Sequence, residues 1–178
     1  TDSAELAAVL AHEMGHVTAN HGIERQRKEA EEALAGQVVS DVLGGGNTDA
    51  NAALVRGKLR LAQFSRNQEL EADAIGIRTI GRAGFDPYAA ARFLQAMAAY
   101  GNLRSVSGAS DSSLDFLASH PNAPQRIDLA MRHARQFGQP GIGDTDREAF
   151  LKGIDGLLFG DKPEEGFIRG TTFLHPKL

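Results

Sequence analysis

At 178 residues the chain is long enough to bury a real core as one domain. Its 42% apolar and 24% charged residues are an ordinary globular balance, and a net charge of −4 argues against the basic face that a nucleic-acid partner needs. The absence of cysteine excludes disulfides, cysteine-ligated metals and a thiol nucleophile, and leaves the compartment open.

The chain starts at Thr1 with no basic-then-apolar leader, and its first residues already read as a helix start. That predicts a piece of a longer protein, truncated just before the first helix. Asp2 or Ser3 can cap this helix, with Glu5 in its first turn. Leu6, Val9, Leu10, Met14 and Val17 then recur at helical spacing. Helix continues, with a break available at Gly22, through the charged run Glu24 to Glu32, where Arg25, Arg27 and Lys28 are offset by Glu24, Glu29, Glu31 and Glu32. Such a mixture is a solvated helix face. Val38 to Leu43 is the nearest thing to a membrane segment, but it is far shorter than the roughly 20 apolar residues needed and carries Asp41. Residues Gly44 to Asp49 read as a loop without the phosphate-cradle pattern.

A second long helix is expected over about residues 51–81, through Leu54, Leu61, Leu70, Ala74 and Ile77. At Gly84-Phe85-Asp86-Pro87 the chain turns, Asp86 caps the next helix and Pro87 opens it. That helix runs to about Tyr100. The Gly- and Ser-rich residues 101–113 predict an exposed loop, followed by a short helix over 114–118 and a sharp exit at Ser119-His120-Pro121. Helices are expected over 124–137 and 145–159, and the tail 166–178 is the one strand candidate. The sequence therefore divides into a core, residues 1–160, and an extension, residues 161–178, with no internal repeat.

The string His12-Glu13-Met14-Gly15-His16 is an H-E-x-x-H on a predicted helix. Residues four apart share a helical face, so both imidazoles can reach one metal ion. Neutral imidazole binds zinc without cancelling its charge, and Glu13, offset by about 100°, is close enough to take a proton from a water that the metal activates. Gly15 allows a neighbouring element to come close. Taken alone, the pentapeptide also turns up by chance in unrelated helices.

The third ligand has several candidates. A metzincin would carry histidine at position 22, where Gly22 stands. His21 is one residue short, points elsewhere on a continuous helix, and reads as a structural or surface histidine. In Ser65-Arg66-Asn67-Gln68-Glu69-Leu70-Glu71-Ala72-Asp73, Glu69 and Asp73 share a helical face. Glu69 could ligate while Asp73 accepts a hydrogen bond from a ligand imidazole, as carboxylates behind zinc histidines do. Glu71 is turned about 200° away, toward solvent. An acidic, solvated helix face is the alternative for this run.

HEMGH, then SRNQELEAD, then LASHPNAPQRI together resemble the M48 family of zinc metallopeptidases, over about residues 4–130, and soluble periplasmic bacterial members most of all. The resemblance implies a mainly α, zincin-like (gluzincin-type) fold with an active-site helix pair around one zinc per chain and a minimal β component. It implies His12, His16 and Glu69 as metal ligands, Glu13 as the catalytic base, and Asp73 as support for the first histidine. It places His120 near the metal, where it could steady the tetrahedral intermediate or bind zinc in a latent state, and gives Arg126 the role of orienting substrate or anchoring that loop. Read from the residues alone, His120 is a loop histidine that packs or caps, and Arg126 a surface charge opening a helix. Family members carry a substrate-pairing strand before the H-E-x-x-H helix. This chain starts after that point, so a missing segment or a second chain is expected to supply it.

The function expected is that of a zinc-dependent endopeptidase acting on polypeptides through a metal-activated water, in the quality control of envelope proteins in the bacterial periplasm. The alternative is a non-catalytic or latent zinc-binding chaperone or scaffold. Three protein ligands with an open position favour catalysis, and a closed set of four favours a structural or latent metal.

Overall fold

The computed structural model describes residues 2–44, 48–107, 120, 124–157, 167–169 and 172–174. In these the chain is mainly α, with helices α1 (Ser3–Thr18), α2 (His21–Leu43), α3 (Thr48–Arg82), α4 (Ala89–Ser107), α5 (Pro124–Ala134) and α6 (Arg147–Gly153). The β component is an antiparallel pair, β1 (Phe167–Arg169) and β2 (Thr172–Leu174), in the register Phe167↔Leu174. The tail thus holds two short strands where one was expected.

Asp2 caps α1, its Oδ1 accepting from the Glu5 amide at 2.8 Å. Arg92 of α4 ties this cap down, reaching Asp2 at 3.2 Å and also pairing with Asp86. The buried face of α1 is not its bulky stripe. Leu6, Leu10, Met14 and Val17 are exposed, while Ala4, Ala8, Ala11, His12 and Gly15 are buried. The small residues let α1 lie directly on α3. A Cβ on Gly15 would stand 3.1 Å from Ala72 Cα, and one on Gly76 would stand 3.0 Å from the His12 nitrogen. Only backbone-to-backbone packing of this kind brings short imidazole and carboxylate side chains from two helices to one point.

The break after α1 falls at Asn20, two residues before Gly22. Asn20 adopts the left-handed conformation (φ 56°, ψ 30°), which asparagine tolerates better than most residues, and α2 starts afresh at His21. Beyond it, α2 and the first half of α3 pair through Arg60 and Glu32, with a two-point contact at 2.8 and 2.7 Å. The charged run on α2 is exposed, with Arg25–Glu29 and Lys28–Glu31 pairs along its surface.

On α3 the buried positions Glu69, Ala72, Asp73, Gly76, Ile77 and Ile80 form one helical face. Its polar half holds the candidate site and its apolar half the core. Ile77 packs with Tyr88, Ala91, Leu94, Ala130 and Ala134, and Ile80 packs with Ala4, Ala8, Ala11 and Ala89. Asp86 Oδ1 accepts from the Tyr88 amide at 2.9 Å and Pro87 lies in the turn, so α4 begins at Ala89. That helix continues to Ser107, through residues whose Gly and Ser content predicted a loop. One glycine costs a helix only about 1 kcal/mol, which the residues around Gly101 offset. The helix expected over 114–118 and the turn at Pro121 lie outside the described residues.

The helix expected over 124–137 ends as α helix at Ala134 and closes with a turn, Phe137 N–H donating to Ala134 O at 3.0 Å. Its Pro124 fills the first helical position. The last helix is shorter than its pattern: α6 starts only after left-handed Asp146 (φ 39°) and ends before Gly156 (φ 82°). The segment leading to it straps the turn before α4, with Asp86 N–H donating to Asp144 O at 3.0 Å.

Candidate metal centre

Helical spacing places His12 and His16 on one face of α1, and the α1–α3 contact turns that face toward Glu69 and Asp73 of α3. His12 Nε2 lies 3.0 Å from His16 Nε2 and 3.5 Å from Glu69 Oε2, and His16 Nε2 lies 3.4 Å from Glu69 Oε1. A fourth donor joins them: His120 Nδ1 stands 3.3 Å from His12 Nε2 and 3.2 Å from each Glu69 oxygen. A tetrahedron with metal–ligand bonds of about 2.0–2.1 Å has edges of about 3.3 Å. Donor pairs at 3.0 to 3.5 Å stand near that figure, and all four donors, three imidazoles and a carboxylate, lie within 4.8 Å of one another, a set that borderline-soft divalent ions accept. These four side chains therefore fit a zinc-like cation.

The surroundings prepare the donors. His12 Nδ1 is 2.8 Å from Asp73 Oδ1, which fixes a proton on Nδ1 and leaves Nε2 to face the cluster. Asp73 is in turn forked by Arg126, whose Nε and Nη2 donate at 2.7 and 2.8 Å, and Arg126 Nη1 reaches Glu69 Oε2 at 2.9 Å. Arg126 is 4% exposed, so it is no surface charge: it opens α5 and holds two carboxylates together in the interior. A bridge of this kind was not readable from the sequence, although two buried carboxylates on one face do call for a cation.

Burial alone would lower the His12 imidazole, but hydrogen bonds to Asp73 and Glu69 outweigh it and raise it to about 9. Burial would raise Glu69, yet hydrogen bonds from His12, His120 and His16 and the charge of Arg126 hold it far below the usual carboxylate range. Asp73 is likewise held low, burial being overcome by Arg126 and His12. Burial works against the Arg126 cation, and Asp73 and Glu69 raise it regardless. All these directions say one thing: two ionised carboxylates share one guanidinium and draw further positive charge to the imidazoles. A divalent cation held by His12, His16, Glu69 and His120 would supply that charge.

Glu13 lies beside the four donors and is not one of them. Its Oε1 is buried without a hydrogen-bond partner among the described residues, and His120 Nε2 is 3.4 Å away without hydrogen-bond alignment. A carboxylate oxygen in that position has room to accept a hydrogen bond. A cleft of about 490 Å³, with Leu61, Phe64 and Leu70 among its walls, opens beside Glu69 and Arg126.

His21 is where sequence reasoning fell short. It is buried, 3% exposed, and its Nδ1 contacts His16 Nδ1 at 2.9 Å; it does not point away from the metal-facing side. The expectation assumed a continuous helix, and left-handed Asn20 resets the direction of the chain. Glu71 is exposed, as its position on the helix required, and still reaches His21 Nε2 at 3.5 Å.

The family model for peptidase family M48 matches residues 1–134. The β-barrel assembly-enhancing protease of Yersinia pestis is 36% identical over 159 residues, covering 85% of this chain and 32% of that protein. Its Escherichia coli K12 namesake is 30% identical over 158 residues, covering 84% and 31%. The mitochondrial metalloendopeptidase OMA1 of Saccharomyces cerevisiae is 34% identical over 123 residues, covering 69% and 34%. The chain thus spans about a third of the length of these relatives. No solved structure matches it.

Proposed function

This chain belongs to peptidase family M48, and we propose that it is the core of a zinc-dependent metalloendopeptidase that hydrolyses polypeptides. The observation carrying this is the convergence of His12 Nε2, His16 Nε2 and a Glu69 oxygen from two helices, beside a buried Glu13 oxygen that has no hydrogen bond among the described residues. His12, His16 and Glu69 would hold the metal. A bound zinc supplies a Lewis acid that polarises a peptide carbonyl and makes water a nucleophile near neutral pH. Glu13 takes the proton from the attacking water and passes it to the departing amine, so the carbonyl carbon gains the hydroxyl and the nitrogen gains the hydrogen. Asp73 keeps the proton of His12 on Nδ1, and Arg126 keeps Asp73 and Glu69 ionised and in place. Residues 1–160 form the catalytic core in this reading, and residues 161–178 an extension.

We place the activity in the bacterial periplasm, in quality control of envelope proteins, on the likeness to β-barrel assembly-enhancing proteases. Among the described residues no helix is long and apolar enough to cross a membrane. A second reading draws on His120, which stands as a fourth donor: a closed set of four suits a latent enzyme or a non-catalytic zinc-binding chaperone or scaffold. Metal analysis and cleavage of unfolded casein, with and without a chelator, separate the two. One zinc per chain with chelator-sensitive cleavage supports the peptidase. Zinc without cleavage, in wild type and in His120→Ala alike, supports the scaffold.

A further inference from the structure

The two histidines of the H-E-x-x-H string are held from behind by different devices. His12 hands its Nδ1 proton directly to a carboxylate, Asp73, at 2.8 Å. Among the described residues His16 meets no carboxylate at Nδ1. Its partner there is another imidazole, His21 Nδ1, at 2.9 Å, with the rings inclined by 75°. One proton must lie between two such nitrogens, and which ring owns it decides what His16 presents to the cluster.

If His21 owned the proton, neutral His16 would carry its own on Nε2, aimed among the donors, and would have no lone pair for a cation. His21 would then show a bare Nε2 to Glu71 Oε2, 3.5 Å away, setting lone pair against lone pair. If His16 owns it, Nε2 of His16 is bare and faces His12 and Glu69, while His21 carries its proton on Nε2 toward the Glu71 carboxylate. Behind the cluster each contact then pairs a donor with an acceptor, and the bare Nε2 atoms of His12 and His16, 3.0 Å apart, are left facing the place a cation would take. Glu71 selects this arrangement because an ionised carboxylate can only accept.

We propose that His21 is a positioning residue for the metal: it accepts the Nδ1 proton of His16 and so fixes the tautomer and ring direction in which His16 Nε2 can ligate. This rests on the reading that His12, His16 and Glu69 bind zinc. The fold invests in the contact. Asn20 takes the left-handed conformation that brings His21 back toward His16, and Gln68 Nε2 donates to the His21 carbonyl at 2.9 Å, pinning its backbone to α3. Glu71 is 63% exposed at its side chain, so water can replace much of what it does; His21 is buried and has no such substitute.

The test compares wild type, His21→Phe and His21→Asn. Phenylalanine keeps a ring and removes the acceptor, and the asparagine amide oxygen can sit near the place of Nδ1. In competition with a chelator, His21→Phe is expected to bind zinc about 10- to 100-fold more weakly, the usual loss when a ligand's supporting hydrogen bond goes, with His21→Asn recovering most of it. Nitrogen-15 NMR of the metal-free wild type should find His21 protonated on Nε2, toward Glu71, and bare on Nδ1, toward His16. A protonated His21 Nδ1 overturns the proposal, as does wild-type zinc affinity in His21→Phe. Equal losses of affinity in both variants, tracking equal drops in the metal-free thermal midpoint, overturn it in favour of plain packing. Should wild type take up no zinc, the metal reading fails, and the NMR result still decides the tautomer.

Discussion

A Cβ built on Gly76 would stand 3.0 Å from the backbone nitrogen of His12 and 3.3 Å from its Cα. The metal-facing helices therefore touch through their main chains, and the first candidate ligand sits on the contact. Alanine at position 76 gains about 1 kcal/mol in helix propensity, whereas overpacking a seam with no flexible side chain to yield costs about 1–3 kcal/mol. The second effect wins. Gly76→Ala is expected to lower thermal stability and, by moving α1 off α3, to weaken zinc binding in parallel. A variant as stable as wild type, with unchanged affinity, would show that the seam has slack.

How far the site could be read ahead of the structure follows from the same seam. Helical spacing alone puts His12 with His16, and Glu69 with Asp73, and these four side chains do stand together. The spacing could not say which stripe of α1 was buried, because Ala4, Ala8, Ala11 and Gly15 repeat as regularly as Leu6, Leu10, Met14 and Val17. Bulk suggested the wrong one; the need for close approach chose the small one. His21 was misdirected for a different reason. Five residues on a continuous helix rotate a side chain about 140° away from His16, and one left-handed asparagine cancels that arithmetic. The bridging role of Arg126 was hidden because Asp73 lies 53 positions earlier, Glu69 earlier still, and only the tertiary fold joins them.

Glu13→Gln is expected to keep the fold and one zinc per chain while casein cleavage falls by several orders of magnitude. The glutamine amide is nearly isosteric and cannot take a proton, and Glu13 lies outside the group of four donors. Metal analysis beside a peptidase assay on the full-length protein checks this. Equal cleavage by variant and parent would remove Glu13 from the proton-transfer role.

Arg126→Ala should be among the most damaging single changes in the metal-free protein. It strands Asp73 and Glu69, both buried, and breaking one side of such a network costs about 3–5 kcal/mol. Lysine should rescue only part, since it lacks the fork that meets both Asp73 oxygens. Both carboxylates are held below their ordinary values, so the stability they lend is present above the ordinary carboxylate range and is lost as pH falls through the depressed values. Without Arg126 those values move up, and acid unfolding should begin at a higher pH. Circular-dichroism titrations of the two proteins read the difference; coincident acid transitions would deny Arg126 this role.

His120 carries the sharpest fork. Its Nδ1 stands within 3.3 Å of His12 Nε2 and of Glu69, at the fourth corner of the donor set, and its Nε2 faces Glu13 Oε1 at 3.4 Å. A ring so placed covers the position where a substrate carbonyl or water would have to enter, and it stands against the residue that would move the proton. Neutral imidazole competes well with water for an open zinc position. The expectation is a self-closed site: His120→Ala should lower zinc affinity, because one donor is lost, and raise the rate of casein cleavage, because the fourth corner and Glu13 become accessible. The opposing pattern, wild-type zinc affinity with slower cleavage, would mean that His120 stands aside from the metal and steadies the oxyanion that forms as the carbonyl is attacked. Measuring both quantities in one preparation is decisive, since closure moves them in opposite directions and oxyanion support moves only the rate.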